Sequence, residues 1–146
     1  MYRRILVPLE NSAYDAGILK HVRELARLCS ASMVLIHVAD GWAARHLNTL
    51  SLRESEEMKQ DRAYLDSLCQ ELHAEGFEAD TILAGGDPAT EITAAAERER
   101  CDLIAMATHG HRGLQDVIYG TTANAVRHRT MVPVLMVRGV NAGTPR

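Results

Sequence analysis

The sequence predicts an α/β fold in which a doubly wound, five-stranded parallel sheet is sandwiched by about four helices. Short apolar runs alternate with amphipathic stretches in the order β-α-β-α-β-α-β-α-β, which is typical of parallel sheets with right-handed crossovers. Residues 33–38 are almost continuously apolar, as in a strand that is buried on both faces. The 146 residues suffice for one domain, so a single domain is predicted over residues 1–146.

The first half of the chain opens with two strands separated by a helix. The strands are predicted over Arg4–Leu9 and Met33–Val38. Ser12 is placed to cap the intervening helix, because its hydroxyl can accept a hydrogen bond from a free N–H of the first turn. Spacings of three and four residues mark the buried face of that helix, which comprises Ile18, Val22, Leu25 and Cys29.

The middle of the chain contains the least regular stretch. Residues 40–54 show no clean period, and a long connection is predicted there. A charged helix is predicted over Ser55–Glu75, with Gly76 as its stop. Its core positions are Met58, Leu65, Leu68 and Leu72. A weaker alternation over Phe77–Leu83 predicts a third, more exposed strand.

The second half repeats the alternation of helix and strand. A turn at Gly85–Pro88 opens a helix that runs to about Arg100, since proline is favoured at the first helical position. The fourth strand is predicted over Asp102–Ala107, and a glycine-bearing loop separates it from a helix over Thr121–His128. The last strand is predicted over Pro133–Val137. The helix after the turn is expected to bury Ile92, Ala95 and Ala96.

Composition and charge exclude several classes of protein. The chain is 47% hydrophobic and 24% charged, unlike a disordered segment. Its net charge of −3 gives no basic face for nucleic acid. No apolar run approaches the roughly 20 residues needed to cross a membrane, or the about 7–15 of a secretory signal. A cytoplasmic protein is therefore expected, and its odd number of cysteines, three, fits reduced thiols.

Unusual residues follow the predicted strands at the edge where parallel sheets bind ligands. The loop Thr108–Gly113 carries two glycines, two histidines and an arginine, and Gly120 precedes two threonines at the predicted start of a helix. A helix N-terminus presents free N–H groups and a positive dipole, which favours phosphate. The same glycines and threonines also suit a loop that binds nothing, because they turn and cap the chain. Neither a Walker loop nor the dinucleotide G-x-G-x-x-G occurs.

Several segments, spread over about residues 2–138, together resemble one known family. Ala107–Gly110, followed after nine residues by Gly120 and Thr121, is similar to the nucleotide-binding motif G-x2-G-x9-G-[ST] of the universal stress protein family. Other segments look like that family in the same order: Ile5–Pro8, His37–Val38, Gly86–Pro88, Cys101–Ile104 and Pro133–Val137.

The resemblance implies a single-domain, ATP-binding protein with a Rossmann-like, adenine nucleotide alpha hydrolase-like fold, which forms a homodimer through Pro133–Val137. The first three implied site residues would line the adenosine end, and the next two would contact the base. The following three would surround the ribose and phosphates, and the last three would hold the phosphates. In that order they are Pro8, Leu9, Glu10, Val38, Met106, Ala107, His109, Gly110, Gly120, Thr121 and Thr122.

Two positions depart from the family pattern and leave two functions open. Glu10 stands where the family has aspartate, and Ala107 stands where the motif has its first glycine. One hypothesis is a nucleotide-responsive stress or signalling module. The alternative is a dimeric interaction protein of the same fold whose pocket these two residues disable.

Signs of catalysis are few. Glu10 and Asp40 are the acidic candidates for Mg²⁺, which would accompany ATP, but only their location suggests it. His109 and His111 lie two residues apart without a third ligand of matching spacing. His37 is predicted to be a hydrogen-bonded core histidine. The sequence predicts a nucleotide binder that hydrolyses ATP slowly at most.

Overall fold

The computed structural model describes residues 1–40, 47–108 and 114–139. Strands and helices alternate through this part of the chain, as the sequence predicts. In chain order they are β1 (Arg4–Pro8), α1 (Asp15–Cys29), β2 (Ser32–Asp40), α2 (Leu47–Ala74), β3 (Ala79–Gly86), α3 (Pro88–Arg98), β4 (Leu103–Thr108), α4 (Leu114–Arg129) and β5 (Val134–Arg138).

The five strands form one parallel sheet with the order β3-β2-β1-β4-β5. From β1 the chain adds β2 and then β3 on one side, and it crosses back to add β4 and β5 on the other. The central strand therefore pairs with both neighbours, and Leu6 lies opposite Val34 on β2 and Ile104 on β4. The strand order reverses between β1 and β4, which is where open α/β sheets leave a crevice at the carboxyl ends.

The period of two along β1 divides the core into two layers. Ile5 and Val7 are fully buried beneath α1 and α2, whereas Leu6 is fully buried beneath α3 and α4. Each helix contributes small or branched apolar residues to its own layer. Representative members are Ile18 and Val22 of α1, Leu65 and Leu72 of α2, Ile92 and Ala95 of α3, and Ala123 and Val126 of α4.

Two helices begin earlier than the sequence predicts. α2 starts at Leu47, so the predicted connection over residues 40–54 is wrong from residue 47 onward. No proline or glycine interrupts residues 47–74, and nothing in that composition stops a helix from extending towards the N-terminus.

α4 starts at Leu114, seven residues before the predicted start at Thr121. Leu114, Val117 and Ile118 have the spacing of one helical face, which favours this longer helix. The sequence predicts Gly120 in the loop, but it lies inside α4. A single glycine in a helix interior lowers stability by only about 1 kcal/mol relative to alanine, so it does not end the helix.

The predicted turn at Gly85–Pro88 is also shorter than expected. Gly85 and Gly86 are the last residues of β3 and pair with Ala39 and Asp40 of β2. Gly86 has φ of 128°, a conformation that side chains disfavour, so the chain leaves the sheet at this residue. Asp87 then caps α3, and Pro88 is its first residue, as predicted.

Candidate functional site

A cleft opens at the carboxyl ends of the central strands, at the point where the strand order reverses. Its space amounts to about 540 Å³ when the open solvent at its mouth is included. Strands β1, β2 and β4 supply its floor, and α3 and α4 supply one wall. The lining residues are Pro8, Leu9, Glu10, Ile36, His37, Val38, Pro88, Ile92, Met106, Ala107 and Thr122.

The cleft brings together seven of the eleven residues that the sequence analysis assigns to the site. They come from the strands β1, β2 and β4, from α4 and from the loop after β1: Pro8, Leu9, Glu10, Val38, Met106, Ala107 and Thr122. Among the other four, Thr121 is exposed on α4 and does not line the cleft. Gly120 also lies on α4, and His109 and Gly110 fall outside the described residues.

The placement of the threonines at a helix N-terminus is wrong. Gly120, Thr121 and Thr122 lie inside α4, because that helix starts at Leu114. An interior N–H of an α-helix is bonded to the carbonyl four residues earlier, and only the first four N–H groups stay free. The phosphate-attracting end of α4 is therefore its first turn, and Thr122 reaches the cleft from the interior of the helix.

Four lining residues were missed: Ile36, His37, Pro88 and Ile92. Ile36 lies opposite Pro8 in the parallel register of β1 and β2, so strand pairing would have revealed it. Pro88 and Ile92 are four residues apart on α3 and share one helical face. Only the position of α3 over the sheet shows that this face turns towards the cleft.

The lining residues are mostly apolar, and a few of them are polar. Most of the wall is aliphatic or proline, which suits a flat, weakly polar ring such as a nucleobase. Polar groups come from Glu10, His37 and Thr122. The Glu10 carboxylate accepts a hydrogen bond from the Ser12 hydroxyl at 3.0 Å. A carboxylate offers acceptors to hydroxyl or amino groups of a ligand and repels phosphate.

The buried carboxylate of Asp15, which is 2% exposed, orders the segment Leu9–Ser12, here called the β1–α1 loop. It accepts hydrogen bonds from the backbone N–H groups of Glu10 at 3.0 Å, Asn11 at 2.9 Å and Ser12 at 3.3 Å. Asn11 has φ of 62°, the left-handed region that asparagine tolerates. These three N–H groups are thus already bonded within the protein.

His37 is hydrogen-bonded, as predicted, but it lies partly exposed at the cleft wall and not in the core. Its Nδ1 lies 2.8 Å from the carbonyl oxygen of Leu9. A carbonyl only accepts, so Nδ1 carries the proton and donates. The opposite nitrogen, Nε2, lies 3.3 Å from Oδ2 of Asp61 on α2. His37 therefore links β2 to both the β1–α1 loop and α2.

Ala107 occupies ordinary strand backbone near the end of β4. Among the described residues other than glycine, positive φ occurs at Asn11, Ser30 and Arg100 alone. The backbone at Ala107 is thus of a kind that any residue adopts, and the alanine places its methyl group at the wall of the cleft. A conformational demand for glycine does not apply here.

The residues that the structure describes contain no group of three His, Cys, Asp or Glu side chains arranged to hold a metal. Of the two acidic candidates, Glu10 lines the cleft, and the side chain of Asp40 falls outside the described residues. None of the described helices has the length and apolar character needed to span a bilayer.

All three cysteines are free thiols, as the sequence analysis expects. Cys101 is buried in the layer beneath α3 and α4, and burial raises its pKa to about 11. Burial likewise raises the pKa of Cys69. These thiols stay protonated near neutral pH and are poor nucleophiles.

Comparison with known proteins identifies the family of this chain. The sequence profile of the universal stress protein family matches residues 1–138. Universal stress protein MJ0577 of Methanocaldococcus jannaschii is 28% identical, over 97% of this chain and 98% of its own. Its solved structure has a TM-score of 0.84, covering 97% of this chain and 99% of that one.

Two further solved structures of similar fold contain nucleotides. A universal stress protein in complex with cAMP has a TM-score of 0.69 at 16% identity, over 94% of this chain and 97% of its own. One from Archaeoglobus fulgidus in complex with dAMP has a TM-score of 0.68 at 19% identity, over 94% and 98%. The family profile covers nearly the whole chain, and the sheet order and cleft agree with the fold. This chain belongs to the universal stress protein family.

Proposed function

We propose that this protein binds ATP in the cleft and acts in the cytoplasm as a nucleotide-responsive module in stress signalling. The observation that carries the proposal is the convergence of seven site residues on one cleft at the switch point of the sheet. Pro8, Val38 and Met106 provide apolar surface of the kind that an adenine ring buries. Glu10 provides acceptors for the hydroxyl and amino groups of the nucleoside.

The charges of the site orient the nucleotide. The Glu10 carboxylate repels phosphate, and the N–H groups of the β1–α1 loop are bonded to Asp15. The phosphates therefore extend away from β1, towards Thr122 and the first turn of α4, where free N–H groups and the helix dipole favour anions. His109 and Gly110, which fall outside the described residues, are proposed to lie beside the ribose and phosphates, as the family motif implies.

The nucleotide complexes of similar fold support an adenine nucleotide as the ligand class. The alternative of a disabled pocket has less support. Ala107 lies on strand backbone that does not demand glycine, and it lines the cleft together with six other proposed site residues. Glu10 retains the charge and acceptor oxygens of the aspartate that it replaces.

We also propose that the protein is a homodimer that pairs through β5. This strand is at one edge of the sheet, where its outer backbone groups need partners. Its Met136 side chain is 44% exposed, a large apolar group that a second copy would cover. Pairing of two such edges is self-complementary about a two-fold axis.

The first experiment asks whether the purified protein retains a nucleotide. Freshly purified protein is denatured, and its supernatant is separated by anion exchange with absorbance detection, with Mg²⁺ present throughout purification. A stoichiometric ATP or ADP peak supports the proposal. If no peak is found, ATP is titrated into the protein by calorimetry, and absence of binding there overturns the proposal.

A variant then locates the site. Gly120→Leu is expected to weaken ATP binding by about tenfold or more, because it adds a side chain where the motif brings backbone and phosphate together. Gly17→Leu is the matched control within a helix, since a Cβ at Gly17 meets no heavy atom within 4 Å. Equal affinity of Gly120→Leu and the unaltered protein would remove Gly120 from the site.

A further inference from the structure

Two side chains of α2 hold the β1–α1 loop from the far side of the cleft. The Asp61 carboxylate accepts a hydrogen bond from the Asn11 side-chain amide at 3.0 Å, and its other oxygen faces Nε2 of His37 at 3.3 Å. The Tyr64 hydroxyl donates to Oδ2 of the buried Asp15. Asp61 and Tyr64 thus each contact a group that fixes the path of the loop.

These two residues act as a pair because of their place on the helix. They are three positions apart, so they project from one face of α2, one turn from each other. Neither lines the cleft. The Asp61 side chain is 17% exposed and that of its partner His37 is 14% exposed. Tyr64 is partly buried. Asp61 and Tyr64 therefore contact groups that hold the loop, and their side chains do not line the cleft.

The loop joins these contacts to the cleft. Leu9 and Glu10 line the cleft, whereas Asn11 receives the contact from Asp61. His37 donates a hydrogen bond to the carbonyl of Leu9. Asp61 therefore contacts the loop a second time, through His37. A shift of α2, or loss of its polar groups, therefore changes where Leu9 and Glu10 face the ligand.

We propose that Asp61 and Tyr64 are positioning residues for the nucleotide, acting through Asn11, His37 and Asp15 on the β1–α1 loop. The inference rests on the proposed nucleotide site and adds a role for α2, none of whose described side chains lines the cleft. Burial raises the pKa of Tyr64, so its hydroxyl stays a proton donor to Asp15 across the working range of pH.

The test compares ATP affinity by calorimetry, well below the melting temperature, for the unaltered protein and four variants. Asp61→Ala and Tyr64→Phe are expected to weaken binding by about 2- to 30-fold, the range of coupling through packed networks. Asp61→Asn is expected to recover part of the loss, because its amide oxygen still accepts from Asn11. Asp66→Asn, exposed on the same helix, is the control and is expected to stay within about twofold.

Amide proton resonances of Glu10, Asn11 and Ser12 give a second measurement, independent of stability. The bonds to Asp15 shift these protons downfield, and Tyr64→Phe is expected to move them together as the Asp15 carboxylate loses one partner. A purely structural role would lower the melting temperature of the variants and leave their affinity for ATP unchanged.

The outcomes separate this inference from the proposed function. Failure of the unaltered protein to bind ATP overturns the proposed function and this inference with it. Binding by the unaltered protein that persists at equal strength in Asp61→Ala and Tyr64→Phe overturns the inference alone. Weakened binding in these two variants, with the Asp66→Asn control intact, supports both.

Discussion

At the scale of single residues, the buried carboxylate of Asp15 accepts four hydrogen bonds. We expect Asp15→Ala to lower the free energy of unfolding by about 3 kcal/mol, because three backbone N–H groups and the Tyr64 hydroxyl lose a buried, charged acceptor. Urea unfolding followed by circular dichroism measures the change.

The control for Asp15 is an aspartate without such contacts. Asp66→Ala, exposed on α2, is expected to change stability by less than about 0.5 kcal/mol. A loss below 1 kcal/mol in Asp15→Ala would show that water replaces the carboxylate as a partner of the loop.

Two buried acids predict how stability varies at alkaline pH. Burial raises the pKa of Cys101 from 9.0 to about 11, and burial with the Asp15 hydrogen bond raises that of Tyr64. The folded chain holds these protons where the unfolded chain releases them. Their contribution to stability is full below pH 9 and is lost as pH rises, on the order of 2 kcal/mol by pH 11 for Cys101.

Urea unfolding at pH 8 and at pH 10.5 measures this loss. Cys101→Ala is expected to flatten the dependence, because it removes one of the groups whose raised pKa makes stability fall at alkaline pH. A stability that is equal at both values of pH in the unaltered protein would contradict the raised pKa of Cys101.

The cleft residues differ in how far sequence could reveal them. Pro8, Val38 and Met106 end apolar strands, and strand ends converge in any parallel sheet. Asp15 and Tyr64 are separated by 49 positions and meet only through the packing of α1 and α2. No local spacing encodes that meeting, so the polar groups that order the β1–α1 loop were not predicted.

At the scale of elements, α3 depends on its cap. The Asp87 carboxylate accepts bonds from the N–H and hydroxyl of Thr90, which lower its pKa. Asp87→Ala is expected to cost about 1 kcal/mol of stability, measured by thermal or urea unfolding. The contribution of the charge is present above the ordinary aspartate pKa and is lost as pH falls through the lowered value.

Asp87→Asn is the informative companion variant. Asparagine caps helices about as well as aspartate, so its cost is expected to stay below that of alanine. The ion pair with Arg129, at 3.4 Å between exposed side chains, adds little. If Asp87→Asn lost as much stability as Asp87→Ala, the stabilisation would come from the charge of Asp87 and not from its capping hydrogen bonds.

Helix starts were the least predictable features of the elements. The interiors of the predicted strands and helices are confirmed as elements, because buried faces impose a period on the sequence, but Met58, a predicted core position of α2, is 39% exposed. At the start of α4 a glycine and two threonines predicted a boundary at Thr121, although the helix begins at Leu114. Capping residues favour a helix start without excluding an interior position, and the longer apolar period prevails here.

At the scale of the whole molecule, the proposed dimer predicts a mass of twice the 16.1 kDa of the chain by light scattering at micromolar concentration. Met136→Lys is expected to yield a monomer, because it places a charge on the face of β5 that a second copy would cover. The sheet itself is expected to fold normally, since Met136 is already 44% exposed.

Leu28→Lys is the matched control for the dimer. Leu28 is 86% exposed on α1 and is not part of the edge strand, so its replacement is expected to leave the mass unchanged. A monomeric mass for the unaltered protein would exclude pairing through β5 at that concentration.

The bonds from Asp15 to the β1–α1 loop also bear on the rate of ligand capture. The loop has its backbone donors satisfied before any nucleotide arrives, so this side of the cleft is preorganised and loses little entropy on binding. Adenosine and ATP are therefore expected to associate at similar rates along the wall formed by β1. Their residence times would differ with the number of phosphates, and the triphosphate would gain its affinity through slower dissociation.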